Sequence, residues 1–120
     1  MRKTNFKTLL IWQRGMEIVD AVYKFCEELP SSEKYNLVSQ SIRCACSIPS
    51  NIAEGSGKRS SREFARDLEI ALGSAYELET HLLICQRRGY GDAILLSKII
   101  TEIGEEQKMI YRYQEKLEQD

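Results

Sequence analysis

The sequence predicts an all-α protein, an antiparallel up-down-up-down four-helix bundle forming a single domain over residues 1–120. Three observations carry that expectation. Apolar residues recur at three- and four-residue spacing in four segments, roughly 9–29, 32–54, 61–88 and 93–117. The connections are short, which sets consecutive helices side by side in opposite directions. No segment alternates apolar and polar residues as a strand does, and two prolines and seven glycines are few for a turn-rich sheet.

In the first helix Trp12, Met16, Val19, Tyr23 and Cys26 make one row, with Ile11, Ile18, Val22, Phe25 and Leu29 beside it. Together they span an arc of about 180°, where one core requires little more than ~100°. A helix of this kind serves two surfaces. Pro30 ends it, because a proline disfavours helix in the residue before it. Ser31 or Ser32 offers an N-cap for the second helix, whose apolar side is Leu37, Val38, Ile42, Ala45, Ile48 and Ile52. Its end is expected at Gly55, a residue suited to a left-handed terminal turn.

The third helix opens with Ser60-Ser61-Arg62-Glu63, the S-x-x-E capping box. Phe64, Leu68, Ala71, Ala75, Leu78, Leu82 and Cys85 then keep an unbroken rhythm, and Ala65, Leu72, Tyr76 and Leu83 form a second row. Gly89 and Gly91 end it. Asp92 is the expected cap of the fourth helix, where Leu96, Ile99, Ile103, Ile110, Tyr113 and Leu117 hold heptad positions and Glu106 is the one polar intruder.

Net charge is −1 and the sequence pI about 5.9, so no global field draws the chain to nucleic acid or anionic lipid. The charges are uneven. Residues 1–14 carry Arg2, Lys3, Lys7 and Arg14 without an acid, whereas residues 101–120 carry six acids, including Asp120, against three bases. Both a head-to-tail contact between subunits and a pair of solvated ends fit this pattern, the second being simpler. The apolar run Leu9-Leu10-Ile11-Trp12 stops at Gln13, far short of the ~18 residues of a membrane span. The four cysteines make no C-x-x-C and read as reduced structural thiols, so the chain is expected in the cytoplasm and off the membrane.

The stretch from Ser47 to Phe64 holds the candidates for function. Gly57-Lys58 is followed by Arg59, and Ile52 stands where a Walker A loop has its first glycine, so no phosphate loop is built. The E-x-x-H pairs of di-metal bundles are missing too, because Leu78 precedes His81 by three residues. Cys44 and Cys46 diverge by about 200° on a helix and cannot share a metal. Glu77 and His81, four apart, read as a hydrogen-bonded pair on the helix surface. The expectation is therefore no catalytic residue, no metal and no cofactor.

Two binding readings remain. Lys58, Arg59, Arg62 and Arg66 gather at the start of the third helix, where free N–H groups also favour anions, and form a candidate nucleic-acid patch. Glu54, Glu63 and Asp67 are interleaved with them, as on an ordinary solvated face. On the second helix Gln40, Arg43, Ser47, Asn51 and Glu54 share one stripe, within about 80°, opposite the apolar side. The stripe reads as a polar network between helices or subunits, or else as an exposed amphipathic face. Pro49 lies on the apolar side and removes the N–H that would bond the Ala45 carbonyl, so a kink is expected, offset by bonds from Ser47 or Asn51.

Trp12-Gln13, Leu29-Pro30, Gln40-x-x-Arg43, the string Ser47-Ile48-Pro49-Ser50-Asn51-Ile52-Ala53-Glu54-Gly55 and Gly73-Ser74-x-x-Glu77-Leu78 together resemble one known family. It is the "four helix bundle protein" family, also called 23S rRNA-intervening-sequence proteins, related to the accessory variability determinants of diversity-generating retroelements. The resemblance runs over about residues 6–117. It implies a bacterial protein whose antiparallel bundles assemble into a ring, typically a homopentamer, with Gly73 and Ser74 permitting close helix approach. It carries over no catalytic residue. The retroelement relatives bind nucleic acid and a reverse transcriptase through a strongly basic ring, a charge this sequence lacks. Two functions follow as expectations: a non-enzymatic oligomeric scaffold or adaptor, or a nucleic-acid-binding accessory to an RNA-processing or reverse-transcribing partner.

Overall fold

A computed structural model describes residues 5–119; Arg2, Lys3 and Asp120, part of the charge asymmetry noted above, lie outside them. Four long helices account for most of the chain: α1 (Leu10–Cys26), α2 (Ser39–Ser56), α3 (Ser61–Arg88) and α4 (Ala93–Glu118). Short 3-10 turns occupy Phe6–Thr8 and Ser31–Glu33, and a π-helical turn spans Lys34–Val38. No strand occurs among the described residues. Helix α1 packs on α2 and α4, and α3 packs on the same two, so the four form a closed bundle 46 Å long and 22 by 20 Å across. No helix is long and apolar enough to cross a membrane among the described residues.

The core is the set of rows expected from the periodicity. Ile11, Ile18, Val22 and Phe25 of α1 are buried, as are Ala45, Ile48 and Ile52 of α2. Phe64, Leu68, Ala71, Ala75, Leu78, Leu82 and Cys85 of α3 meet Leu96, Ile99, Ile103 and Ile110 of α4. Each large side chain withdrawn from water in this way contributes about 1.5–3 kcal/mol before the entropy of ordering is subtracted. The row of Trp12, Met16, Val19, Tyr23 and Cys26 divides: Met16 is 40% exposed and Tyr23 50%, Trp12 and Val19 are half-buried, and Cys26 is in the core.

The ends of α3 form as expected. The Ser60 hydroxyl oxygen accepts from the Glu63 N–H at 3.1 Å and donates to the Glu63 carboxylate at 3.0 Å, so Glu63 closes the box on the hydroxyl. At the far end Gly89 adopts φ +70°, and the Tyr90 N–H reaches the Cys85 carbonyl at 3.0 Å. Asp92 caps α4, accepting from the N–H groups of Ile94 and Leu95 at 2.9 and 3.2 Å.

Three boundaries differ from expectation. Helix α1 gives way at Glu27, whose N–H bonds the Lys24 carbonyl in a tighter turn, ahead of Leu29. Neither Ser31 nor Ser32 caps the second helix: the chain enters through a 3-10 turn with Pro30 in the N-cap position and no side-chain cap. At its other end Gly55 is helical and buried, and α2 runs on to Ser56, with Gly57 in a right-handed terminal conformation. A Cβ on Gly55 would lie 2.8 Å from both Phe64 Cδ1 and Asp67 Cβ. The glycine is there for close approach of α2 to α3, not for a left-handed turn.

Candidate functional site

The corner between α2 and α3 gathers the basic residues and then divides them. Arg59, Arg62 and Arg66 line an open groove of about 700 Å³, together with Ser60, Ser61 and Gln114 and with Glu69 and Glu118. Arg62 and Arg66, four apart on the first turns of α3, share one side of the helix, and Arg59 joins them from the loop before the Ser60 cap. Lys58 is drawn off. Its Nζ lies 2.9 Å from Oδ2 of the buried Asp67 and 3.8 Å from Glu54. The Asp67 carboxylate, above all, raises the Lys58 pKa. The groove is thus a three-arginine surface, and the fourth expected member holds the corner together.

The polar stripe on α2 divides in the same way. The Ser47 and Ser74 hydroxyls are 2.8 Å apart, joining α2 to α3, and the Asn51 amide donates to the Ser47 carbonyl and hydroxyl at 2.8 and 2.9 Å. These three make the inter-helix network. Gln40, Arg43 and Glu54 are exposed, and Glu54 lies 3.8 Å from Lys58 Nζ. Gly73 has open space where a Cβ would stand, so inside one chain it permits no closer helix approach. Pro49 is buried, and α2 runs through it. Bonds from Ser50 and Asn51 fall on the carbonyls of Cys46 and Ser47, the two that follow Ala45.

Two sites were not legible as such. Glu106 is 1% exposed, with neither carboxylate oxygen hydrogen-bonded, beside Gly15 and Pro49. Burial pushes its pKa up to about 8, against a smaller downward pull from Arg14. The second is a convergence across helices. Cys44 on α2 places Sγ 3.9 Å from His81 Nδ1, and His81 Nε2 lies 3.8 Å from Glu77 Oε2. Burial first, and then the Glu77 carboxylate, pushes the Cys44 thiol up to about 12. Spacing within one helix relates Glu77 to His81 but cannot place Cys44. The register between helices can: three residues back from Ser47 along α2 and three forward from Ser74 along α3 are Cys44 and Glu77.

Four helices with a polar seam between α2 and α3 and an arginine-lined corner define an all-α helical-bundle protein. Within that class the chain belongs to the 23S rRNA-intervening sequence protein family, whose model matches residues 7–112. It is also similar to the crystal structure of a protein of unknown function from the S23 ribosomal protein family of Bacteroides thetaiotaomicron VPI-5482. That match has a TM-score of 0.80 at 23% identity and covers 88% of this chain and 96% of the other. Such an identity speaks for the fold alone. None of the curated proteins matches this sequence.

Proposed function

We propose that this chain is a non-enzymatic scaffold or adaptor, an antiparallel up-down-up-down bundle that joins copies of itself in a ring-like homopentamer in the bacterial cytoplasm. The observation that carries the reading is the outer face of α1. Met16 and Tyr23 stand exposed in one row with the half-buried Trp12 and Val19, while the neighbouring row fills the core. Tyr76 and Leu83, seven residues apart on α3, add a second exposed apolar strip. Contiguous apolar rows of this kind mark interfaces more than wet surfaces. Size-exclusion chromatography with light scattering tests the reading. The expected mass is about five times the 13.8 kDa of one chain, and Met16→Glu with Tyr23→Glu should release monomers. A wild-type monomer at micromolar concentration would overturn it.

A second reading is favoured by the arginine groove. Copies of Arg59, Arg62 and Arg66 arrayed around an assembly make a basic surface despite a net charge of −1 per chain. Such a surface suits RNA or DNA, or the nucleic acid of a processing or reverse-transcribing partner. Phosphate contacts release counterions, so binding of a fluorescent single-stranded RNA should weaken steeply with salt. The triple alanine variant at these positions should bind more weakly and with a shallower salt dependence. Equal binding by that variant removes the groove from this role.

A further inference from the structure

Cys44, Glu77 and His81 offer a thiol, a carboxylate and an imidazole whose ligating atoms all lie within 4.8 Å of one another. Two of the three sit a turn apart on α3 and the third comes across from α2. Ligands of one tetrahedral zinc, at about 2.3 Å for sulfur and 2.0–2.1 Å for nitrogen, stand ~3.6 Å apart. The Cys44 to His81 separation of 3.9 Å exceeds that by a few tenths of an ångström. The His81 nitrogens face different partners, the thiol and the carboxylate, and a metal takes one of them. Glu77 is the group that adjusts, since its side chain is 56% exposed and that of His81 14%.

A second feature supplies access. His81 also lines a groove of about 300 Å³ with Glu33, Asn36, Leu37, Gln40 and Arg88, and Gln40 lies one turn before Cys44 on α2. Of the three ligands His81 alone lines this groove, so solvent meets the cluster at its imidazole. Thiolate with imidazole and carboxylate selects a borderline-soft divalent ion over magnesium or calcium, which prefer oxygen alone.

We propose that Cys44, Glu77 and His81 bind one zinc ion per chain, with the fourth coordination position facing the groove. The thiol proton leaves to solvent as the sulfur takes the metal. The ion ties α2 to α3 beyond the Ser47–Ser74 bond and keeps one position for water or a small exchangeable ligand. The site lies within a single chain and is independent of the ring and nucleic-acid readings.

Cobalt(II), titrated into the purified full-length protein without a histidine tag, is the probe. One equivalent should bring up a thiolate-to-cobalt charge-transfer band in the near ultraviolet with the visible bands of tetrahedral cobalt, and zinc should abolish both. Cys46→Ser should keep the charge-transfer band and Cys44→Ser should lose it. Glu77→Gln and His81→Ala, at positions outside the core, should each weaken binding by at least about tenfold while circular dichroism shows an intact bundle. If Cys44→Ser does not fold, those two variants decide. A hydrogen-bonded triad with no metal gives no charge-transfer band in the wild type, which overturns the proposal. So does a band that survives Cys44→Ser, or one indifferent to both Glu77→Gln and His81→Ala.

Discussion

Two carboxylates enter this bundle and meet different surroundings. Asp67, 6% exposed, sits at the α2–α3 corner with Lys58 Nζ 2.9 Å away. Glu106, 1% exposed, sits halfway along α4 near Gly15 and Pro49, with no hydrogen-bond partner among the described residues. The difference is one of position. At a bundle corner a loop lysine can lay its stem on the surface and bring its charge to a buried acid. Midway along the bundle, α1 and α2 present a glycine, Ile48 and a proline, and the pull of Arg14 is too small to offset burial. A buried carboxyl without a partner responds by holding its proton, which is what a pKa of about 8 means for Glu106.

The largest effect expected is on pH dependence. The folded pKa of Glu106 stands above its ordinary 4.5, so the folded state binds the extra proton. This stability is present in full below the ordinary value and is lost as pH rises through about 8, at up to ~1.4 kcal/mol per pH unit. Glu106→Gln keeps the shape and removes the titration. In urea unfolding at pH 5, 7 and 9 it should match the wild type at pH 5 and exceed it by about 2–4 kcal/mol at pH 9. Parallel curves for the two proteins would break the contrast between the acids.

The Asp67 corner is tested next. Gly55→Ala puts a methyl group 2.8 Å from Asp67 Cβ and Phe64 Cδ1, and should cost about 1–3 kcal/mol despite alanine's better helix propensity. Gly57→Ala is the control. Its Cβ would meet only the Glu54 carbonyl at 3.6 Å, and stability should hardly change. Lys58→Ala should lower the melting temperature by less than Gly55→Ala, because the water that already reaches Lys58 fills the vacated side. Lys58→Arg should restore most of the loss. A neutral pair sets the lower end of the scale: Ser47→Ala breaks the bond to Ser74 and should cost about 1 kcal/mol in the same unfolding assay.

Legibility followed the range of the interactions involved. Helix α3 could be read from end to end, because its rhythm, capping box and terminal glycine are all contacts within a few residues. The three groove arginines were legible for the same reason, lying within eight residues of one another at one helix start. Gly55 was misread because a glycine near a helix end serves either a left-handed turn or a close approach, and only Phe64 and Asp67 across the corner decide which. Lys58 looked like part of the patch until Asp67 claimed it. Cys44 and His81, 37 residues apart, were assigned separately and correctly to helices, yet nothing local joins them.

By itself the sequence determined that four helices form, where α3 and α4 start and stop, and which rows are apolar enough to fill a core. Those outcomes rest on backbone hydrogen bonds, caps and periodicity, all of them short-range along the chain. Only the tertiary structure decided which of α1's two rows faces inward and which acid finds a cation. It also decided that a thiol, a carboxylate and an imidazole meet. Burial and the charges of neighbours set those results, and both are created by helices that close on one another from distant parts of the chain.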